Sequence, residues 1–359
     1  MSDKTKKILK WSIITLTVLV AAAAVAGGLY WNRMLNLLGD AEAEVPTLSY
    51  EEEMALLGTV GPTEMTEPTE TTVPEETEPA LPEKYITNIM LVGQNWREDE
   101  QNKLSDTMIL CSINRKTKTM TMVSFLRDLY VPLPAYAGHG PGRNRINVCY
   151  ALGSSWKRNS LGGMEMLALC IEQNFGIHVD HTIEVGFESF ARIVDGFGGI
   201  EVDLSEAEAH YMTKQIGYVG EFQPGYQTLD GLETLAYARI RKIDGDRQRA
   251  ARQRTVITAL VEKCRNMNLA DMNHAVEYVL PSIITDMTNE EITKYVIELL
   301  PILKDLELRS LTCPVDNETL PRSMWGKTID LYGYESSVIE CNTALNGRFL
   351  RYMLGIRQN

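Results

Sequence analysis

Apolar residues fall into three regimes along the chain. Trp11–Trp31 is a continuous apolar run of about membrane-spanning length with no charge inside it. Residues 32–61 keep some helical periodicity above that run. Pro62–Pro82, PTEMTEPTETTVPEETEPALP, has almost nothing to bury and predicts an extended, disordered spacer. From about Ile86 the pattern changes to short strands and helices. Ile86–Val92 predicts a strand. Thr107–Ile113 and Thr119–Phe125 are β-rich runs joined by Asn114–Lys118, the pattern of a hairpin. The apolar spacing of Met164–Phe175 predicts a helix. Thr182–Val185 reads as a strand and Phe187–Asp195 as a helix, and Gly198-Gly199 opens the strand Ile200–Leu204. Leu229–Tyr237 and Asp246–Cys264 predict helices. Thr288 and Glu291 form a capping box for a helix running to about Leu300. Strand pairs and helices interleaved in this way predict an α/β (α+β) body, a three-layer α/β/α arrangement around a mixed sheet.

Charge divides the 359 residues along the same lines. The net charge is -13. Residues 41–83 hold 12 acidic and no basic residues, and residues 1–40 sum to +3, which leaves the body at -4. So mild a value neither favours nor excludes a polyanionic substrate. Lys4, Lys6, Lys7 and Lys10 precede the apolar run, and Trp11, Tyr30 and Trp31 sit where interfacial aromatics belong. The run therefore predicts a single-pass anchor with a cytoplasmic N-terminus and an extracytoplasmic body. The expected organisation is a cytoplasmic tail 1–10, an anchor 11–31, a stalk and linker 32–83, a catalytic body 84–305 and a C-terminal extension 306–359 with no readable function. Cys111, Cys149 and Cys170 lie in apolar contexts and read as core. Cys313 and Cys341 flank a polar stretch, where an exported location permits a disulfide. No CxxC pair suggests zinc.

The candidate chemistry is a density of arginines. Arg127 closes the run TMVSFLRD, followed by Asp128. Arg239 and Arg241 end AYARIR, and an extended backbone would put Tyr237, Arg239 and Arg241 on one side. On a helix, Arg249, Arg252, Gln253, Val256, Ile257 and Leu260 share one face, cationic at first and then apolar. Cations at a helix N-terminus oppose its dipole, and an anion among them would remove the conflict. The competing reading is a surface helix whose arginines pair with Asp244 and Asp246. Asp106, in Ser105-Asp106-Thr107, is either a turn former or a carboxylate that holds Mg²⁺ beside a pyrophosphate.

These residues resemble the LytR–CpsA–Psr family of cell-wall glycopolymer ligases. The likeness runs from about Asn88 to Ile302. It rests on NIMLVGQNWR, LSDTMILCSINRKTKTMTMVSFLRDLYV, RINVCYALG, VGFESFARIVDGFGGIEVDL, LDGLETLAYARIR and GDRQRAARQRTVI, which stand in the family's order. The resemblance implies a polyprenyl-pyrophosphate glycan held in an apolar pocket between sheet and helices, with peptidoglycan as acceptor and Mg²⁺ as cofactor. It assigns the pyrophosphate to Arg127, Arg239, Arg241, Arg249, Arg252 and Gln253, with Asn147 of the Arg145-Ile146-Asn147 motif. Catalysis falls to Arg127, Asp128, Arg239 and Arg241, and the metal to Asp106. In Gly93-Gln94-Asn95-Trp96-Arg97 the family's aspartate is replaced by Asn95, an uncharged oxygen donor for the ion. The implied reaction moves a glycopolymer phosphate onto a peptidoglycan hydroxyl in a Gram-positive-type envelope, where the glycopolymer is teichoic acid, capsule or another glycan. Two alternatives stay open. One is a phosphatase or pyrophosphatase acting on the same lipid with water as acceptor. The other is a non-enzymatic envelope regulator, against which stands the predicted topology, with the body outside the cell and no basic recognition helix on the cytoplasmic side.

Overall fold

The computed structural model describes residue 28 and residues 30–38, 84–94, 104–215, 221–331 and 334–356. The expected spacer and Asn95 lie outside the described residues, as does nearly all of the expected anchor. Among the described residues no helix is long and apolar enough to cross a membrane. The chain divides into two units at Leu38. In the first, residues 30–35 are helical.

The second unit contains the fold. Its first strands are β1 (Ile86–Gln94), β2 (Ser105–Asn114), β3 (Thr119–Phe125), β4 (Tyr130–Leu133) and β5 (Gly142–Arg145). Helices α1 (Val148–Lys157) and α2 (Ser160–Phe175) follow, then β6 (His181–Gly186), α3 (Phe187–Gly196) and β7 (Ile200–Leu204). Next come α4 (Glu206–Gln215), β8 (Gly225–Leu229), α5 (Gly231–Ala238), α6 (Asp246–Asn266) and α7 (Leu269–Val279). The chain continues with β9 (Ile284–Thr285), α8 (Asn289–Leu299), β10 (Glu307–Cys313), β11 (Met324–Leu331), β12 (Tyr334–Cys341) and α9 (Thr343–Leu354). The predicted hairpin is β2–β3, and the predicted capping box of Thr288 and Glu291 starts α8.

A six-stranded mixed sheet, ordered β10-β3-β2-β1-β6-β9, is the central layer. Alternation decides which residues face which side. Met90, Val92, Met108, Leu110, Val123 and Phe125 share one cluster with the buried faces of α1, α2 and α9. Ile89, Ile109, Cys111, Ile113, Met120 and Met122 share another with Ile257 and Val261 of α6 and Leu299 of α8. The expected α/β/α layering is therefore present. A third cluster joins the antiparallel β7–β8 pair to α4, α5 and Val256 of α6. Helices α1 and α2 cross closely because glycines meet at their contact. A Cβ on Gly153 would lie 2.3 Å from the Gly162 carbonyl oxygen, and one on Gly162 would lie 2.4 Å from that of Gly153.

One expectation changes, and two points left open by the sequence are decided. The boundary at 305/306 falls inside the fold, because β10 pairs with β3 in parallel and Leu350 and Leu354 of α9 join the first cluster. Cys313 and Cys341 carry free thiols, so the disulfide that an exported location permits is not formed. The helix expected over Leu229–Tyr237 is present as α5, so the shared side that an extended backbone would give Tyr237 and Arg239 does not arise. Asp230 and Glu233 form a capping box that starts α5, Tyr237 is buried in that helix, and Arg239 is its C-terminal cap.

Candidate active site

The site forms where the strand ends meet the first turn of α6. Asp106 is aimed there by an irregularity. In the β1–β2 ladder Gly93 pairs with Thr107 and Gln94 with Ser105, so Asp106 is the extra residue of a bulge. Arg127 and Asp128 follow β3 after one residue, Leu126. Gly245, at φ +90°, turns the chain into α6, and Asp246 then occupies the first turn. There its charge suits the helix dipole. This carboxylate partly resolves the conflict that the arginines posed in the sequence.

Four arginines and three aspartates interlock at this point. Arg127 Nη1 donates to Asp106 Oδ1 at 3.0 Å, and its Nε lies 3.4 Å from Asp246 Oδ2 and 3.8 Å from Asp128 Oδ2. Arg241 Nε is 2.9 Å from Asp246 Oδ1, and its Nη2 is 3.8 Å from Asp128 Oδ2. Arg249 Nη2 reaches Asp246 Oδ2 at 3.4 Å and the Asp106 carbonyl oxygen at 3.3 Å. Arg145 Nη1 lies 3.5 Å from Asp128 Oδ1. Burial, with Arg127 and Arg241 nearby, holds the Arg249 guanidinium below its ordinary value against the pull of Asp246 and Asp106. The cluster is thus cationic in balance and contains a destabilised charge, a condition that a bound anion relieves.

Arg239 differs from these four. It has no carboxylate partner among the described residues, and its guanidinium stacks 4.7 Å above the Phe187 ring. Together with Gln253 it contributes polar groups to a cavity of about 140 Å³ whose wall is otherwise almost wholly apolar. Leu91 and Ile109 form the sheet side, Phe190 and Leu235 come from α3 and α5, and Val256 and Ile257 come from α6. An apolar chamber lined at one place by an exposed guanidinium without a carboxylate partner has the polarity of an amphiphile with an anionic head.

Arg252 is placed otherwise than the sequence reading expected. Its Nε donates to Glu208 Oε1 at 2.6 Å, its Nη2 to Asp244, and its Nη1 to the Ile240 carbonyl oxygen at 3.0 Å. The guanidinium is buried and engaged by two carboxylates, so it braces the Arg239–Asp244 segment. For this arginine the pairing alternative describes the contacts. Asn147 precedes α1 without capping it. Its backbone oxygen accepts from the Ser105 N–H and hydroxyl, both at 3.3 Å, next to Asp106.

Gln94 escaped the sequence reading. It is 1% exposed, and neither atom of its amide has a hydrogen-bond partner. The signal was available, because Gln94 continues the inward parity of Met90 and Val92. As for a metal, no three carboxylate, imidazole or thiol groups converge on a cation position among the described residues. The donor that fits Mg²⁺ is Asp106, since only Oδ1 of its carboxylate is taken by Arg127. An ion that retains waters and phosphate oxygens needs few protein ligands.

The fold and site define an α/β scaffold that couples an apolar chamber to an arginine–aspartate cluster. The LytR_cpsA_psr family model matches residues 58–343, and the chain belongs to that family. A polyisoprenyl-teichoic acid–peptidoglycan teichoic acid transferase, TagU of Oceanobacillus iheyensis, is 36% identical over 188 residues, covering 52% of this chain and 54% of the relative. The TagT transferase of Bacillus subtilis is 31% identical over 192 residues, covering 52% and 55%. The chain thus spans about half the length of the curated relatives it matches. A solved structure of the LytR-CPS2A-psr family protein YwtF (TagT) with bound octaprenyl pyrophosphate lipid superposes with a TM-score of 0.53 at 23% identity, covering 79% of this chain and 94% of that one. At that identity the likeness establishes the fold.

Proposed function

We propose that this protein transfers a glycopolymer phosphate from a polyprenyl-pyrophosphate carrier to a hydroxyl of peptidoglycan. Arg239 carries the reading, as a guanidinium without a carboxylate in the wall of an apolar cavity. The polyprenyl tail occupies the cavity. The pyrophosphate lies against Arg239 and Gln253 and extends to Arg127, Arg241 and Arg249. The names of the similar transferases and the lipid in the solved relative support this assignment.

In the reaction, the acceptor oxygen bonds to the phosphorus that bears the glycan. The bond from that phosphorus to the bridging oxygen breaks, and polyprenyl monophosphate leaves with the electron pair. Asp128 takes the hydroxyl proton. The arginine forks hold the phosphate oxygens in line and neutralise charge that grows on the leaving group, which is most of what phosphoryl transfer asks of a protein. Arg252 acts one step back, holding the Arg239–Arg241 segment against Glu208. Mg²⁺, held by Asp106 with Asn95 as a second candidate, would supply further charge neutralisation.

The apolar run Trp11–Trp31 supports a membrane anchor with the body outside the cell, beside lipid-borne substrate. The test is to incubate the full-length protein with a polyprenyl-pyrophosphate glycan, with and without peptidoglycan. Phosphodiester-linked product and stoichiometric polyprenyl monophosphate are expected only with the acceptor. Equal release of free glycan phosphate without the acceptor would make the protein a hydrolase.

A further inference from the structure

We propose that Trp325 is the stacking platform of an acceptor subsite, which binds a pyranose ring of a carboxylate-bearing glycan strand. The proposal rests on the transferase reading only for which glycan this is. The subsite itself comes from a line of side chains that starts at Asp128 and leaves the arginine cluster on the side of the β11–β12 hairpin.

Arg145 and Arg143 stand two apart on β5 and therefore project to the same side. Arg145 Nη1 lies 3.5 Å from Asp128 Oδ1, and Arg143 Nη2 lies 3.4 Å from Glu340 Oε1. Arg143 also stacks 5.0 Å above the Tyr130 ring. Glu340 accepts from Trp325 Nε1 at 2.8 Å and from Lys327 Nζ at 3.1 Å. The hairpin is fixed to the site through its backbone, because the Ile339 N–H donates to the Asp128 carbonyl oxygen at 2.9 Å. Trp325 pairs with Glu340, the next residue, so the indole is one register position away from that tie.

Trp325 is 47% exposed although its only polar atom is already satisfied by a buried carboxylate. Its N–H therefore gives no reason for the ring to face water, and the exposed part is apolar surface. The bond to Glu340 also fixes the ring, so little rotamer freedom is left to lose on binding. A flat, rigid aromatic face suits the C–H face of a sugar ring. Lys327, half exposed, and Arg143 stand beside it as donors for carboxylates. The same carboxylate, Glu340, orders the indole and both cations. The direction is also right. The apolar cavity is lined by Leu91, Gly93, Thr107, Ile109 and Val185, of β1, β2 and β6, whereas this line departs from the end of β3. The donor tail and the acceptor strand would thus approach the arginines from different sides.

The test uses the full-length protein in detergent and a disaccharide-peptide oligomer from muramidase-digested peptidoglycan, measured by titration calorimetry. Trp325→Ala should weaken oligomer binding at least about tenfold, and Trp325→Tyr, which keeps a flat face, should recover most of it. Inorganic pyrophosphate binding should be the same in all three proteins. Equal oligomer affinity in wild type and Trp325→Ala, or no oligomer binding by the wild type, would overturn the subsite, whatever the transfer assay reports. Trp325-dependent binding by a wild type that transfers nothing would uphold the subsite and remove the transferase reading.

Discussion

Arg252 donates from Nε to Oε1 of Glu208 at 2.6 Å, and both residues are buried. The pair joins α6 to α4 across 44 residues of sequence. Removing Arg252 leaves the Glu208 and Asp244 carboxylates without their shared cation, a loss of about 3–5 kcal/mol. Arg252→Ala is therefore expected to lower the melting temperature sharply, and the loss of transfer should follow the loss of folded protein. Burial raises the Glu208 carboxyl, but the hydrogen bonds from Arg252 and Ser205 outweigh it and hold the group below its ordinary 4.5. A depressed folded value stabilises the protein above 4.5, and that contribution is lost as pH falls through the folded value. The melting-temperature gap between wild type and Glu208→Gln should accordingly be full at pH 7 and narrow below pH 4.5. A gap independent of pH would show that the pair contributes no ionic stabilisation.

Asp246 is shared by Arg127, Arg241 and Arg249, so it competes with any anion for the same guanidinium groups. Asp246→Asn should leave the empty cluster more repulsive and the protein less stable at low salt. Without Mg²⁺ it should bind inorganic pyrophosphate roughly tenfold more tightly, the scale of one partly screened charge at this range. Arg249→Ala should do the opposite, binding more weakly while the apo protein melts no lower. Thermal shifts at graded pyrophosphate concentrations read both effects. If pyrophosphate stabilises neither wild type nor Asp246→Asn, the arginines are not an anion site.

Local features of this fold were legible where burial alternates cleanly. The span Ile200–Leu204 alternates buried and exposed to the residue, and Thr119–Phe125 was legible instead as a short, β-branched-rich run buried throughout. The edge strand β10 was not, since half-exposed Glu307–Cys313 lacks a buried face of its own and is a strand because β3 is beside it. The site was legible as a set of residue types and illegible as a set of pairings. Arg127, Arg241 and Arg249 do meet, yet nothing near Arg252 in sequence announces Glu208. The bulge that aims Asp106 depends on pairing with β1 and has no local pattern. Asp230-Gly-Leu-Glu233, by contrast, is a capping box, a local signal that marks the start of the helix expected over Leu229–Tyr237.

Arg254 occupies a different environment from the other arginines of α6. It is 8% exposed, its Nη1 donates to the Ser124 hydroxyl at 2.6 Å, and no carboxylate pairs with it among the described residues. Burial, with Arg247 nearby, pushes its guanidinium below the ordinary value. A buried cation without a counter-charge is a standing cost, and an apolar side chain of similar length removes it. Arg254→Met is therefore expected to raise unfolding free energy by about 1 kcal/mol or more, with transfer activity unchanged. Denaturant titration measures the first and the transfer assay the second. Lower stability would mean that the bond to Ser124 outweighs the desolvation of the charge.

The cavity allows tail and head recognition to be separated. Leu235 and Ile257 line it at partial burial, so a larger side chain at Leu235 has the cavity itself to grow into. Leu235→Trp should place an indole where the polyprenyl chain lies. Overpacking costs about 1–3 kcal/mol in a filled core, and less is expected beside empty space. Polyprenyl lipid is expected to co-purify with the wild type and to be absent from Leu235→Trp by mass spectrometry, while inorganic pyrophosphate binds normally. Arg239→Ala should weaken both ligands, each by roughly 1.5–3 kcal/mol for one charge-assisted contact. Lysine at position 239 should restore little, because an ammonium lacks the two-pronged contact to phosphate oxygens. The pattern across ligands is the discriminating result. If Leu235→Trp retains the long-chain lipid at wild-type affinity, the tail lies elsewhere, and Arg239 is a surface cation stacked on Phe187.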